Sequence, residues 1–398
     1  MLTPNPDQFE AGAWQSQFSF ATARPICDPK TLDFLHALSQ MILKDSTARS
    51  FSDLVTFGYF CRRSNLTRIA KTIDDQMYRF GWGTILHIAP SNIPINFAFS
   101  FVMGMLSGNS NIVRMPSKYY PQSVIFLDIM KQLLATVPYQ SFCSEMAFVQ
   151  THRDSPLLKA LVRRAQGLVV WGGDKTVQDF RILPKQPRCI EVWFPNRASS
   201  AVIGVSEYLA MSNQVQSALA EHFYNDTYLV DQNACSSPGQ MLWIGREADI
   251  WLAQSIFWSK LELVLQAKEY RLDPVALIDK TLDVMRNTQL ADTSINLDRT
   301  QSNSWRISTQ NVQPGTLRFG TFLEAMVPVG AHLDPWLRSN EQTLTVAGIS
   351  PQEVYKILKT PSIDRIVPMG QALNISMLWD GRDILTTLSR KVDVVTQL

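Results

Sequence analysis

From residue 84 onward the chain alternates short apolar runs with longer stretches in which apolar residues recur at helical spacing. The runs at 84–89, 111–115, 146–150, 168–171 and 200–205 have the length and apolar content of buried strands. Segments 94–106, 122–134, 155–165, 174–183 and 206–223 read as helices between and after them. Buried strands joined by helices predict an α/β protein with a doubly wound parallel sheet. A second series follows, with strands at 240–244, 323–327 and 343–347 and helices at 246–267 and 351–358. The main boundary is expected near residue 205, between the two series. Segment 293–313, rich in Ser, Thr, Asn and Gln, reads as a long loop.

Ahead of the first series, residues 1–80 have a helical, amphipathic pattern. Over 31–43, Leu32, Leu35, Leu38 and Ile42 fall on one helix face. The pattern predicts three parts: 1–205, 206–370 and a C-terminal segment over 371–398. The tail carries a helix at 384–388 and a β-branched run at 392–395. A lone strand leaves its backbone groups unpaired, so this run is expected to join a sheet and to help build a homo-oligomer.

Charged residues are 18% of the 398, and 37 Lys and Arg stand against 35 Asp and Glu. This excludes a mainly disordered chain and offers no basic field for nucleic acid. No charged residue occurs over 80–113, a length that spans a bilayer. His87, Pro90, Asn92, Pro94, Asn96, Asn109 and Asn111 interrupt it, so it reads as strand, turn and helix of a core rather than a membrane span. Five widely spaced cysteines without a C-x-x-C exclude a disulfide framework, and the five histidines lack metal-site spacing. No metal site is expected. With no secretory signal pattern at the N-terminus, the expected location is cytoplasmic.

Several positions suit chemistry. Cys235 lies in a polar loop, Asp-Gln-Asn-Ala-Cys-Ser-Ser-Pro over 231–238, where a thiolate finds donors. The other reading of any single cysteine is a small core residue. Asn92 sits between Pro90 and Pro94 after a strand, as a polarising amide or as a turn or cap residue. Gly172 and Gly173 follow a strand and open a helix. They suit a phosphate at the helix N-terminus, or a tight turn with Asp174 as cap. Arg114, Ser117 and Lys118 end another strand and suit a phosphate, or form a solvated strand end. Neither G-x-G-x-x-G nor G-x-S-x-G occurs.

Taken together, these segments resemble the LuxC-like acyl-CoA reductase family, a branch of the aldehyde dehydrogenase superfamily. The stretches that carry the resemblance are HIAPSNIPINFAFSFVMGMLSGNSNIVRMPSK (87–118), VVWGGDKTV (169–177), DQNACSSPGQ (231–240) and IDRIVPMGQALNISMLWDGRDIL (363–385). It implies an aldehyde-dehydrogenase-like fold with two doubly wound parallel-sheet domains and a helical N-terminal segment. In that frame 1–205 holds the cofactor and 206–370 carries the nucleophilic cysteine. Segment 371–398 then returns to the cofactor domain or to a subunit interface. The resemblance assigns Cys235 as nucleophile and Asn92 as oxyanion-hole amide. It places Gly172 and Gly173 at the cofactor pyrophosphate and Arg114, Ser117 and Lys118 at the adenosine ribose, with NADPH as cofactor. The implied reaction is reduction of an acyl thioester, a fatty acyl-CoA, to the aldehyde, beside an acyl-protein synthetase partner.

The superfamily's water-activating Glu has no clear counterpart; Glu191 lies near its place but out of register. A base set against Cys235 would instead favour an aldehyde dehydrogenase working oxidatively. A histidine partner, of which His222 is nearest in sequence, would favour a cysteine acyltransferase without nicotinamide. A degenerate binding protein would be expected to lack Cys235, Asn92 and the glycine pair.

Overall fold

The structure, a computed structural model, describes residues 8–12, 23–73, 78–289, 296–298, 303–308, 317–359 and 363–395. Its chain forms two units, Met1–Pro195 with Arg382–Leu398, and Asn196–Gly381.

The first unit opens with strand β1 (Gln8–Gly12), then helices α1 (Pro29–Lys44), α2 (Ser52–Phe60) and α3 (Arg63–Ala70). In α1 the buried face is Thr31, Phe34, Leu35, Leu38, Ser39 and Ile42, so the expected stripe holds except that Leu32 lies at its margin. Asp28 caps this helix, accepting from Thr31 N–H, and Pro29 fits the first turn. A short strand, β2 (Arg79–Gly81), leads into the sheet.

The sheet comprises β3 (Thr84–Ile88), β4 (Ser110–Arg114), β5 (Met146–Gln150), β6 (Gly167–Trp171) and β7 (Ile190–Phe194), all parallel, with β1 antiparallel at the edge. Every residue of β3 and β6 is buried, as strands covered on both faces must be. The crossovers are α4 (Asn96–Leu106), α5 (Pro121–Leu134), α6 (Pro156–Arg164) and α7 (Asp174–Arg181). On one face Phe97, Phe101, Phe126 and Phe148 meet with ring centroids 5.1–6.2 Å apart. On the other, Leu158, Leu161, Val162, Val177 and Phe180 pack on Leu86, Ile88, Ile112 and Val149.

The second unit's sheet contains β8 (Ala198–Gly204), β9 (Gln240–Ile244), β10 (Asn296–Asp298), β11 (Trp305–Ser308), β12 (Thr321–Val327), β13 (Glu341–Ala347) and β14 (Arg365–Pro368). Their order is β10-β11-β12-β9-β8-β13-β14, and all pairs but β10–β11 are parallel. Its helices are α8 (Val205–Ala210), α9 (Asn213–Thr227), α10 (Glu247–Ala267), α11 (Pro274–Gln289) and α12 (Pro351–Lys356).

Four expectations change. The boundary falls at 195/196 rather than near 205, because β8 pairs with β9 and β13 of the second sheet. The end of that unit moves from 370 to 381, where Asp226 on α9 accepts the N–H groups of Gly370 (2.6 Å) and Ala372 (2.8 Å). The helix expected at 206–223 is two, interrupted where Ser212 caps α9 by accepting from Val215 N–H. The polar segment 293–313, where described, holds β10 and β11; the rest of it lies outside the described residues.

The tail differs too. Its strand is Ser389–Lys391, paired antiparallel with β2 of the same chain, and Val392 adds one bond to Tyr78 C=O at 2.8 Å. Residues 393–395 beyond it form no strand. The short helix α13 (Ile384–Thr387) precedes it, and Asn109 donates to Leu388 C=O at 2.8 Å. Among the described residues, no helix is long and apolar enough to cross a membrane.

Candidate active site

In the first unit the parallel strands run β5-β4-β3-β6-β7. The chain moves outward from β3 through β4 to β5, then returns to the far side of β3 as β6. The strand order therefore reverses between β3 and β6, where open α/β sheets leave a crevice at their carboxyl ends. Asn92 lies in the loop after β3. Arg114 is the last residue of β4, with Ser117 and Lys118 just beyond it, and Gly172 and Gly173 follow β6. Topology thus brings these six residues to one edge of one sheet.

Asn92 is exposed. The N-cap of α4 is Ile95, so Asn92 does not cap that helix. Its loop is fastened from β4's side, where Tyr120 O–H donates to Ser91 C=O at 2.6 Å. Lys118 Nζ lies 5.1 Å from the Tyr120 ring centre, and Lys118 and Ser117 are both exposed. Arg114 is half-buried, and its Nε donates to Thr151 C=O at 3.3 Å. Burial, and then the neighbouring Arg153, lower its pKa from the ordinary arginine value. A guanidinium set against a second cation favours an anion beside it.

Gly173, not Asp174, is the N-cap of α7, and no side chain caps that end. Gly172 N–H donates to Phe194 C=O at 3.1 Å. A Cβ on Gly172 would come within 2.9 Å of Thr176 Cγ2, so the turn closes on α7 only with glycine there. Together these features suit a dinucleotide: a glycine at the helix N-terminus, with Asp174 in the first turn, and two cations and a hydroxyl along the same edge.

Beneath this edge runs a buried polar chain. Trp171 Nε1 donates to Ser100 Oγ (2.9 Å), which lies 2.7 Å from His87 Nδ1; His87 Nε2 lies 2.9 Å from Asn111 Oδ1. Asn111 Nδ2 donates to Asn109 C=O at 2.7 Å. Asn111 Oδ1 accepts only, so His87 carries its proton on Nε2 and accepts the Ser100 hydroxyl at Nδ1. Burial lowers the His87 pKa to about 4, which keeps it neutral. Gly104 makes room for this pair, since a Cβ there would lie 1.9 Å from Asn111 Oδ1. Gly104→Ala gains about 1 kcal/mol of helix propensity. Overpacking costs about 1–3 kcal/mol and a broken buried hydrogen bond about as much again. Urea denaturation is expected to show a net loss of stability; an unchanged or raised midpoint would contradict the packing argument.

The second unit holds Cys235, in the turn between the short 3₁₀ segment Tyr228–Val230 and β9. The site lies at the amino ends of its parallel strands. Asp231 and Gln232 are successive left-handed residues (φ 48° and 57°), which sharply redirect the chain. Gln232 then fixes the loop. Its Nε2 donates to Pro238 C=O (2.8 Å) and Thr321 C=O (3.0 Å), and its Oε1 accepts from Gly320 (2.9 Å) and Thr321 (3.2 Å) N–H. Ser199 Oγ donates to the Cys235 carbonyl at 2.7 Å, and Gly239 N–H donates to Ser199 C=O at 2.9 Å. Tyr270 O–H donates to Asp231 Oδ1 at 2.7 Å.

The Cys235 thiol is pushed up to about 11, first by burial and next by the Asp380 carboxylate. The Gln342 side chain, Arg197 and the cysteine's own N–H pull the other way. Gln342 Nε2 also donates to Asp380 Oδ1. Arg197 donates to Glu341 C=O at 2.7 Å and pairs with Asp364. The Cys189 thiol is also pushed up to about 11, first by burial and next by Glu191, with Lys185 pulling the other way. Cys27 and Cys61 are buried in the first unit, and burial alone raises both, Cys27 to about 12.

Gln232, Gln342, Asp380 and Ser199 are site residues that sequence reasoning passes over. Gln232 carries the one available signal, being an amide beside the cysteine in a polar run. Glu191 stands exposed on β7, 3.7 Å from Lys185 Nζ.

Solved structures with this arrangement are aldehyde dehydrogenases and their relatives. Bifunctional proline utilization A (PutA) matches with TM-score 0.65 and 13% identity over 93% of this chain, which spans only 42% of that protein. A lactaldehyde dehydrogenase matches with TM-score 0.64 and 12% identity, covering 94% of this chain and 87% of its own. The propionaldehyde dehydrogenase of Rhodopseudomonas palustris, solved with bound propionyl-CoA, gives TM-score 0.53 and 13% identity over 86% and 82% of the two chains. The fold is therefore the aldehyde dehydrogenase fold. A search of the curated proteins returns no match. The family model for acyl-CoA reductase (LuxC) matches residues 23–296. A match that takes in every candidate site residue from Asn92 to Cys235 is a family assignment: the chain belongs to the LuxC family of acyl-CoA reductases.

Proposed function

We propose that this protein reduces a fatty acyl-CoA to the aldehyde with NADPH, through a thioester on Cys235. The observation that carries this is the setting of Cys235. Of the five cysteines it alone stands in a loop pinned on both sides, beside an amide donor and a guanidinium. In this reading the Cys235 sulfur loses its proton and attacks the substrate carbonyl carbon. The Cys235 N–H holds the resulting oxyanion, with the Asn92 amide as the second donor that the family resemblance implies; the CoA thiol leaves with a proton, and the acyl group stays on sulfur. A bound reduced nicotinamide supplies the hydride that takes the acyl group to the aldehyde level. Gly172 and Gly173 admit its pyrophosphate to the start of α7, and Arg114, Ser117 and Lys118 take its adenosine end. The propionyl-CoA held by the propionaldehyde dehydrogenase neighbour supports a CoA thioester as the substrate class.

Two features weigh against the rival readings. Glu191 is engaged with Lys185, which does not favour a water-activating role. The groups acting on the thiol are Asp380, Gln342 and Arg197, with no histidine among them, which does not favour an acyltransferase. The direct test mixes the protein with NADPH and acyl-CoAs of graded chain length and follows absorbance loss and aldehyde formation.

The choice of NADPH rests on Arg114 and Lys118. A charge-assisted bond to phosphate contributes about 1.5–3 kcal/mol, so losing it raises KM roughly tenfold to a hundredfold. Arg114→Ala with Lys118→Ala is expected to raise KM for NADPH by that factor and to leave KM for NADH nearly unchanged. Equal losses with both cofactors would show that these side chains do not read the 2′-phosphate.

A further inference from the structure

We propose that Gln342 orients the Cys235 sulfur for attack and that Asp380 fixes which way Gln342 faces. The proposal rests on Cys235 being the nucleophile and adds the groups that aim it.

The argument starts with the backbone. In the pairing of β13 with β8, Glu341 stands opposite Ala198 and Thr343 opposite Ser199, which leaves Gln342 as an extra residue. Such a bulge re-aims one side chain out of the strand's alternation. It is held on both flanks. Glu341 accepts from Ser200 Oγ (2.5 Å) and Arg338 Nε (3.2 Å), and Asp364 N–H donates to Gln342 C=O (3.0 Å). The Gln342 side chain is buried, and the next residue, Thr343, donates its N–H to Ser199 Oγ (3.2 Å), the hydroxyl that holds the Cys235 carbonyl, which sets Gln342 beside the cysteine loop.

An amide presents either its N–H₂ or its oxygen, and the two ends differ little in size. Gln342 Oε1 is buried with no partner among the described residues, so nothing holds that end. The orientation is decided at the other end, where Nε2 donates to Asp380 Oδ1. A flipped amide would set its oxygen against the carboxylate. Asp380 therefore keeps the N–H₂ toward the sulfur, which uses one hydrogen for Asp380 and one for Sγ. Asp380 is itself set by the backbone: it and Gly381 are both left-handed (φ 47° and 67°), and a Cβ on Gly381 would lie 2.8 Å from Asp364 Oδ1.

Asp380 thus has two opposed effects on the thiol. Its charge disfavours the thiolate, while its hold on Gln342 supplies the donor that favours it. The other charged group acting on the thiol is Arg197, from the start of β8 and paired with Asp364; next along β13, Glu341 is paired with Arg338. All four lie in the second unit.

The experiment measures two rates on the full chain: alkylation of Cys235 by iodoacetamide across pH, located by peptide mass, and acylation of Cys235 by acyl-CoA without cofactor. Gln342→Met keeps the length of the side chain and removes the donor. At pH 8–9 it is expected to slow alkylation about tenfold and acylation about tenfold. Asp380→Asn suits a left-handed position and removes the charge. It is expected to quicken alkylation at the same pH while acylation slows, a split that loss of structure would not produce. Gln342→Asn, which keeps the amide but falls short of the sulfur, should act like Gln342→Met and serves if that variant does not fold. Wild-type alkylation rates in both Gln342 variants, or faster acylation in Asp380→Asn, would overturn the proposal. Failure of the reading beneath it looks different: the alkylation shifts remain, but the acyl adduct forms on another residue.

Discussion

Cys235→Ala is expected to abolish acyl-CoA reduction, and Cys235→Ser to do so nearly as completely. The chemistry needs a nucleophile that ionises, attacks a thioester and later leaves. A serine hydroxyl ionises far less readily than a thiol and forms an ester that is less reactive toward hydride. The loss expected for either variant is on the order of a thousandfold or more in kcat, the scale seen when a covalent nucleophile is removed. Neither change should disturb the fold, because the loop is held by Gln232, Ser199 and Tyr270 rather than by the sulfur. The companion measurement is mass spectrometry after addition of acyl-CoA without cofactor, which should find one acyl group, on Cys235. An adduct on Cys27, Cys61, Cys143 or Cys189 would sink the assignment. It would also be hard to reconcile with Cys27 and Cys61 being buried where Cys235 is partly open.

The pH behaviour follows from the same setting. With the Cys235 thiol raised to about 11, the protonated form dominates at neutral pH. Acylation should therefore quicken as pH rises through 8 and 9, until the protein itself fails. This sign holds because burial, the largest influence, disfavours the charged form.

How much of this is legible in the sequence depends on how many neighbours set each feature. Strands β3, β4 and β6 are buried almost completely, so their composition alone marks them. Strand β7 escapes notice because it lies at the sheet's edge, where Glu191 faces solvent and breaks the apolar run. Strand β11 hides in a polar segment, yet Trp305 and Ile307 are buried and alternate with Arg306 and Ser308, the period of a strand with one covered face. The helix break at Ser212 turns on one capping residue within a continuous amphipathic pattern. The boundary near 195 turns on which strands β8 pairs with, and pairing is a long-range property.

The site divides along the same line. Cys235, Asn92 and the glycine pair stand in loops whose polar character contrasts with the strands beside them, so each shows locally. Gln342 is the second residue of β13, EQTLTVA, and is turned by a bulge that no short pattern announces. Asp380 meets Gln342 and the cysteine from a distant part of the chain. Polar loop residues can be read in sequence; a strand residue turned by a bulge emerges only when the sheet is assembled.

Asn92→Ala is expected to lower kcat about 10²–10³-fold with little change in KM for acyl-CoA, the effect of removing one oxyanion donor. The amide matters only when the carbonyl oxygen gains charge, so its loss should fall on the transition state rather than on binding. The loop around Asn92 is restrained. Pro90 and Pro94 restrict the backbone on either side, Tyr120 fastens Ser91, and Ile95 rather than Asn92 caps α4. Asn92 is exposed, so alanine there is expected to leave the fold intact. Asn92→Asp sharpens the test. A carboxylate is nearly isosteric but repels the oxyanion, so its kcat should fall below that of the alanine variant. Alkylation of Cys235 by iodoacetamide passes through no oxyanion and should proceed at the wild-type rate in both variants. A rise in KM at constant kcat would mean that Asn92 binds substrate without stabilising charge. Slowed alkylation would mean that it acts on the thiol instead.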